Sequence, residues 1–241
     1  SFIVLVVSGF GLRFSESWFS RFFFGWEGGF ERRGDIHRIA AVVFLITAAW
    51  HTIYLFASAR GRKFWKDIFP NWTDFSQFVR RIQYNLGRRP NSPRYGRFSY
   101  VEKAEYWALI WGSIVMIVTG FLLWFDNWVV QFLPKGALDV ALVIHYWEAW
   151  LATLAILVWH LYSTVFDPKV YPMNPSWLTG KMPDMMYRHE HPEHYEQAKA
   201  ETKEYVRKEL EHLQARKHDE EEDEQEELEL EAARYKDEDE A

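Results

Sequence analysis

Three apolar stretches of this chain are each long enough to cross a lipid bilayer as a helix. They cover residues 36–58, 104–127 and 140–166. A hydrocarbon core about 30 Å thick requires about 20 predominantly apolar residues in helical form. The shorter apolar run 2–12 predicts a further span that is incomplete at its N-terminal end. A cleavable signal peptide is the competing interpretation of that run, but the charged start region it needs is not visible. The sequence therefore predicts an all-α membrane protein with a four-transmembrane-helix bundle.

Charge divides the chain into two parts. Residues 1–166 contain 17 Lys and Arg against 11 Asp and Glu, whereas residues 167–241 contain 11 against 23. We therefore predict a membrane domain over 1–166 and a polar tail over 167–241. A thin apolar stripe predicts that the tail is partly helical. Its acidic composition predicts disorder after about residue 218.

The connecting segments predict the orientation of the spans. Residues 59–103 contain 11 Lys and Arg but only three acids, whereas residues 13–35 contain four of each. Positively charged loops stay on the cytoplasmic side of membranes, so we place 59–103 in the cytoplasm. With four spans, both termini are then cytoplasmic.

Four histidines lie in two of the predicted spans at nearly matching spacing. His37 and His51 are 14 residues apart, and His145 and His160 are 15 residues apart. On an α-helix, both members of each pair fall within about 60° of one face and roughly 21 Å apart along the axis. Histidine is costly in lipid and usually marks function there. In the predicted orientation, His37 and His145 lie near the outer surface, and His51 and His160 near the inner one.

Bis-histidine ligation of b-type haem is the chemistry that best fits this pattern. Haem iron can take an imidazole on each face, so His37 with His145 is predicted to ligate an outer haem iron, and His51 with His160 an inner one. Occupation of both faces favours electron transfer over oxygen binding. The chain has no cysteine, which excludes thiolate-ligated haem, cysteine-ligated iron–sulfur clusters and covalent c-type haem. The alternative is four packing histidines that hydrogen-bond between helices.

Several motifs resemble those of a known family. With the histidine pairs, Ser8-Gly9, Val118-Thr119-Gly120 and Trp124, roughly residues 1–195 resemble the four-helix cytochrome b subunits of membrane-bound formate dehydrogenases and nickel–iron hydrogenases. The motifs that match the second and fourth helices of that family are Ile36-His37, Ile144-His145 and His160-Leu161-Tyr162. A closer similarity is to the cytochrome b/b6-domain proteins that accompany multihaem c-type cytochromes in bacteria. It rests on Asp167-Pro168, Tyr171-Pro172-Met173-Asn174 and Trp177-Leu178-Thr179-Gly180.

The resemblance implies two b haems and electron transfer between an extracytoplasmic partner and a quinone, either menaquinone or ubiquinone, near the inner haem. The partner would be a multihaem cytochrome c or an iron–sulfur or catalytic subunit, in the bacterial cytoplasmic membrane. The formate dehydrogenase type takes an inner-haem ligand from a histidine early in its first helix. Here His51 lies in the second span instead. The partner of His160 is therefore either His51 or a histidine upstream of this sequence.

The sequence thus predicts a transmembrane di-haem cytochrome b, a subunit of a quinone-linked respiratory complex. Membrane lipids are its surroundings, and no nucleic acid is an expected partner. The chain contains no substrate-oxidising motif, so that chemistry would belong to a partner subunit. One alternative is a haem-free membrane anchor that tethers a redox complex. Another is a ferric-chelate or cytochrome-linked reductase without a quinone site.

Overall fold

The computed structural model describes residues 1–168 and 170–239, with side chains described up to residue 217. These residues form α-helices and two consecutive π-helical segments, and no strand occurs among them. In chain order the elements are α1 (Phe2–Arg13), α2 (Trp18–Phe24), α3 (Gly29–Ala57), α4 (Ala59–Ile68), α5 (Trp72–Asn85), α6 (Tyr100–Trp124), α7 (Asp126–Val129), α8 (Lys135–Leu154), π1 (Ala155–His160), π2 (Tyr162–Phe166), α9 (Ser176–Thr179), α10 (Asp184–Glu190) and α11 (Pro192–Asp239).

Three helical segments of the described chain are long and apolar enough to cross a membrane. They are α3, α6 and the continuous stretch Lys135–Phe166 that α8, π1 and π2 form. Helix α1 is apolar but has only 12 residues. These segments confirm the predicted helical membrane architecture. They begin four to seven residues before the predicted spans (29, 100 and 135 against 36, 104 and 140), because polar residues extend each helix beyond its apolar part. The count of four spans stays a prediction.

The apolar helices pack in pairs, α1 on α3 and α6 on α8. Aromatic rings also join α1 to α8, where Phe10 and Trp150 have ring centroids 4.6 Å apart. Only 11% of the apolar window of each candidate span is buried. Most large apolar side chains therefore face outward, as expected for helices surrounded by lipid.

The basic segment between α3 and α6, interpreted from sequence as a loop, contains helices α4 and α5. Ser58 accepts a hydrogen bond from Gly61 N at 2.8 Å and begins α4. A capping box begins α5: Asn71 accepts from Asp74 N at 3.2 Å, and Asp74 accepts from Asn71 N at 2.7 Å. These caps satisfy amide groups that a helix start otherwise leaves unpaired.

The turn between α4 and α5 is fixed to the first turns of α6. Lys103 Nζ lies 3.0 Å from both carboxylate oxygens of Asp74 and donates to the carbonyl of Phe69 at 3.4 Å. Trp107 Nε1 donates to the carbonyl of Ile68 at 3.1 Å. Both side chains of the ion pair are almost fully buried, at 7% and 12% exposure.

The described chain divides into two compact units, residues 1–93 with 98–186, and residues 94–97 with those from Tyr187 onward. In the second unit, Glu193 N donates to the carbonyl of Tyr95 at 3.2 Å. The His191 ring donates to the carbonyl of Gly96 at 3.0 Å. The predicted boundary between a membrane domain (1–166) and a tail (167–241), and the predicted disorder after about residue 218, stay predictions.

Candidate functional site

The structure brings the rings of His37 on α3 and His145 on α8 close together in a T-shaped arrangement. Their ring centroids are 6.4 Å apart and their planes are inclined by 73°. Two imidazoles that ligate one metal ion from opposite sides, with metal–nitrogen distances of about 2.0–2.1 Å, have ring centroids roughly 6 Å apart. The separation therefore leaves room for one metal ion between the rings.

A hydroxyl group on a neighbouring helix holds each of these rings. His37 Nδ1 lies 3.0 Å from Ser8 Oγ of α1, and His145 Nδ1 lies 2.8 Å from Thr119 Oγ1 of α6. Ser8 is fully buried and Thr119 is 6% exposed. Each imidazole is thus oriented by the helix with which its own helix pairs.

The hydroxyl protons determine the protonation of the rings. Ser8 Oγ donates to the carbonyl of Val4, and Thr119 Oγ1 donates to the carbonyl of Val115 at 2.7 Å. Since each hydroxyl has only one proton, its oxygen accepts the hydrogen bond from the imidazole Nδ1–H. The Nε2 atoms then carry a free lone pair, and among the described residues neither makes a hydrogen bond. This is the arrangement that second-shell partners impose on metal-binding histidines.

A glycine next to each hydroxyl residue makes room for the ring. A Cβ atom on Gly9 would lie 3.3 Å from His37 Cε1, and one on Gly120 would lie 3.4 Å from His145 Cε1. Each imidazole therefore lies against the backbone of the neighbouring helix.

The two halves of this site repeat one design. The hydroxyl–glycine pair Ser8-Gly9 begins five residues before the end of α1 (13 minus 8), and Thr119-Gly120 begins five before the end of α6 (124 minus 119). In each half, the histidine follows on the next long helix, 29 or 26 residues after the hydroxyl residue. From sequence, the two dipeptides contributed to a family resemblance, but their contact with the ring nitrogens was missed.

The structure does not bring His51 and His160 together as it does His37 and His145. Among the described residues, the His51 ring makes no contact with the His160 ring. His51 Nε2 lies 2.9 Å from the hydroxyl of Tyr106, and His160 Nδ1 lies 3.4 Å from Glu105 Oε2. Both partners are consecutive residues of α6. Their part in the site was also missed from sequence, since nothing in their spacing marks them. The pairing of His51 with His160 stays a prediction.

His160 is the last residue of π1, where the chain is not α-helical. A π-helix closes its hydrogen bonds between residues i and i+5 and turns through fewer degrees per residue than an α-helix. The predicted angular relation between His145 and His160 assumed an α-helix throughout, whereas the last turn before His160 is π-helical. Single π-helical turns in long helices often occur at functional sites.

The side chain of Arg38, the residue after His37, lines an open cavity of about 410 Å³ together with Trp124 at the end of α6. Its guanidinium is 3.8 Å from Asp35 and 5.8 Å from the ring centroid of Trp124. Arg38 remains 55% exposed. A cation therefore lies one residue after His37 on α3.

A helical membrane bundle that holds two facing imidazoles by hydroxyl groups has the framework of a membrane cytochrome b. A family model described as prokaryotic cytochrome b561 matches residues 1–172. This match covers well over half of the chain, so the chain belongs to the prokaryotic cytochrome b561 family. It confirms the resemblance to cytochrome b subunits, and the protein is a membrane protein that binds haem b and transfers electrons. No curated protein matches the chain.

The residues of the His37–His145 site fit haem b. Two imidazoles alone leave a bare ion undercoordinated, whereas the porphyrin nitrogens supply the remaining ligands of haem iron. Among the described residues, no group of three or more metal-binding side chains offers an alternative ion site. The free Nε2 atoms and the ring separation therefore match the two axial positions of a haem.

Proposed function

We propose that the chain is a four-span cytochrome b with two b haems, which carries electrons between an extracytoplasmic redox partner and the membrane quinone pool. It would do so as a subunit of a respiratory oxidoreductase complex in the bacterial cytoplasmic membrane. The observation that carries the proposal is the pair of facing imidazoles, His37 and His145, 6.4 Å apart with both Nδ1 atoms held by hydroxyl groups.

In this proposal, His37 and His145 are the axial ligands of the haem nearer the outer surface. Ser8 and Thr119 are positioning residues that hold each Nδ1 and keep each Nε2 unprotonated. Arg38 is the cation that pairs with a haem propionate. A bound b haem supplies one-electron chemistry, and with both axial positions occupied it has no open site for oxygen.

We assign the second haem to His51 and His160. His51 follows His37 by 14 residues on the unbroken helix α3, which is roughly 21 Å along its axis. That rise supports two redox centres at different depths, joined into a route across the membrane. Glu105, which lies at His160 Nδ1, would be the positioning partner of that ring, whereas Tyr106 lies at His51 Nε2 and would release that nitrogen to the iron.

The orientation rests on charge. The segment 59–103, with 11 basic and three acidic residues, favours the cytoplasmic side. Both termini are then cytoplasmic, and the His37–His145 site lies near the outer surface. The partner there is a multihaem cytochrome c or an iron–sulfur or catalytic subunit. The quinone, menaquinone or ubiquinone, exchanges electrons near the inner haem.

A haem-to-protein ratio tests the proposal. We expect the pyridine haemochrome assay on the purified chain, combined with amino-acid analysis, to give two b haems per chain. A ratio of zero would select the haem-free anchor instead, and a ratio of one would remove the second haem. Reduction of the oxidised protein by a quinol analogue, sensitive to a quinone-site inhibitor, separates a quinone-linked subunit from a reductase without a quinone site.

Replacing Thr119 by valine should weaken haem binding at the outer site and raise its midpoint potential. Valine keeps the shape of threonine but removes the acceptor for His145 Nδ1–H, so the imidazole becomes a poorer donor and stabilises ferric iron less. Loss of such a second-shell partner typically costs about 10- to 100-fold in metal affinity. Potentiometric titration of the visible spectrum measures the potential, and haem retention on dilution measures the affinity.

A matched control is Thr153→Val on α8, since Thr153 is also buried at 6% exposure and its hydroxyl donates only to its own helix, at Ala149. We expect this variant to keep the potential of the wild type. Ser8→Ala should reproduce the effect of Thr119→Val through His37. An unchanged potential in both Ser8→Ala and Thr119→Val would contradict the positioning role.

A further inference from the structure

Helix α5 carries an apolar stripe that the described part of the chain leaves uncovered. The stripe residues recur at spacings of three and four, as on one face of an α-helix. We define the α5 stripe as Trp72, Phe75, Val79, Ile82 and Leu86. Trp72 is 88% exposed, Phe75 63% and Leu86 62%. Contiguous exposed apolar surface of this kind marks a contact with a membrane or another protein.

The apolar face of the neighbouring helix α4, in contrast, is covered by α3 and α6. Ile68 is buried, and the Trp65 ring lies 5.4 Å from that of Trp107 on α6 and 5.7 Å from that of Phe56 on α3. The chain thus covers the apolar face of one helix in this segment and leaves the stripe of the next one open.

Contacts with α6 fix the position of the start of α5 along the membrane bundle. The Lys103–Asp74 ion pair and the Trp107–Ile68 hydrogen bond hold the start of α5 against the first turns of α6. Helix α6 is a candidate membrane span, and α4 follows directly on α3, another one. Both ends of the α4–α5 segment are therefore tied to the same end of the membrane bundle.

Charge identifies the chemistry of the surface that this segment meets. Exposed basic side chains of α4 and α5 are Arg60, Arg62, Lys63, Lys66 and Arg80. Arg80 lies outside the α5 stripe. On a helical wheel it is about 80° from Trp72, on the side of Trp72 opposite to Phe75. An amphipathic helix with an aromatic apolar face and basic flanks is typical of one lying in the interface of a membrane with anionic lipids.

We propose that α5 lies in the plane of the membrane surface, with the α5 stripe inserted at the boundary between headgroups and acyl chains. The exposed lysines and arginines of α4 and α5 contact the phosphates of anionic phospholipids. This surface is distinct from the haem sites and does not depend on them. It anchors the segment between α3 and α6 to acidic bilayers.

The absence of cysteine from the chain allows a direct test by spin labelling. Single-cysteine variants Phe75→Cys, on the stripe, and Tyr84→Cys, on the opposite polar face, are labelled in the full chain and placed in nanodiscs that contain phosphatidylglycerol. Power-saturation measurements compare collisions with oxygen, which concentrates in lipid, and with a water-soluble nickel chelate. We expect the label at position 75 to collide mainly with oxygen, and the label at position 84 mainly with the chelate.

Equal access of the nickel chelate to both labels would overturn the proposal. A label at position 75 that is immobile and shielded from both relaxants would also overturn it, because a protein partner or a second copy would then cover the stripe. Leu86→Cys is a second stripe position, which guards against local disturbance at Phe75. Neither side chain is buried, so both substitutions leave the core intact.

A separate measurement tests whether the basic side chains of α4 and α5 contact anionic phospholipids. The ratio of spin-labelled phosphatidylglycerol to phosphatidylcholine in the motionally restricted shell reports selectivity for anionic lipid. We expect the double variant Lys63→Gln/Lys66→Gln to lower this ratio towards one. Lys135→Gln, at the start of α8 on the opposite predicted side, is the matched control and should leave it unchanged. A ratio unaffected by the α4 substitutions would refute the contact with anionic headgroups.

Discussion

Replacing His145 by alanine should remove one of the two b haems from the protein. The variant lacks one of the facing imidazoles, and iron between α3 and α8 would keep a single axial ligand from His37. The two rings sit at the separation that one metal ion requires, and among the described residues no third metal-binding side chain groups with them. We expect the intensity of the reduced α-band, normalised to protein, to fall by about half, and the haemochrome ratio to fall from two to one.

Three comparisons make this result specific. His37→Ala should give the same loss, since the two histidines serve one iron. His212→Ala, in the exposed part of α11, should keep both haems. Added imidazole should restore part of the lost absorbance in His145→Ala, because the cavity left by the side chain admits a free ligand. Full α-band intensity in both His37→Ala and His145→Ala would contradict the assignment of the outer haem.

The same series decides the ligands of the second haem. If His51 and His160 share an iron, His51→Ala and His160→Ala should each lose the other half of the α-band. Full haem content in His51→Ala together with haem loss in His160→Ala would assign the second ligand to a histidine outside this sequence. The Tyr106 contact of His51 would then be structural.

The long helices and the facing pair could be predicted from sequence because both depend on simple regularities. Span positions follow from the length of apolar runs, and the apolar windows of α3, α6 and Lys135–Phe166 contain at most two charged residues each. Polar residues such as Glu31 and Arg32 precede the apolar run of α3, yet they stay helical because their side chains reach water at the helix end. For this reason the helices begin several residues before the predicted spans.

The contacts that orient the rings could not be predicted, since they depend on which helices become neighbours. Ser8 and Thr119 look like ordinary small membrane-helix residues until α1 packs on α3 and α6 on α8. The π-helical turns before His160 leave no mark in hydropathy, because an apolar run is compatible with either winding. Tyr106 and Glu105 reach their histidines only through that three-dimensional arrangement.

The α5 stripe was present in the sequence, but the density of basic residues in 59–103 favoured interpretation as a loop. The spacing from Trp72 to Leu86 is that of an amphipathic helix, and Asn71 with Asp74 has the residue types of a capping box. The charge of the segment therefore predicted on which side of the membrane it lies. The periodicity of its apolar residues indicated that part of it is helical.

Replacing Lys103 by methionine should destabilise the protein by about 3 kcal/mol, the lower end of the range for breaking a buried ion pair. Methionine fills a similar volume but leaves the Asp74 carboxylate without its cation, in a place where that side chain is only 12% exposed. The lower end applies because Asp74 keeps its capping hydrogen bond from Asn71 N at 2.7 Å. Reversible unfolding in mixed micelles measures the change in the free energy of unfolding.

A double variant separates the charge from the packing. In Lys103→Met/Asp74→Asn both formal charges are gone, and the asparagine oxygen can still accept the capping hydrogen bond. Neutralising both partners avoids the buried unpaired charge that makes single removal costly, so we expect the double variant to be more stable than Lys103→Met alone. Lys66→Met, at an exposed position of α4, is the control and should change stability by less than about 0.5 kcal/mol. If the double variant were as unstable as Lys103→Met, the lysine would act by packing, and the ion pair would not be what holds α5 to α6.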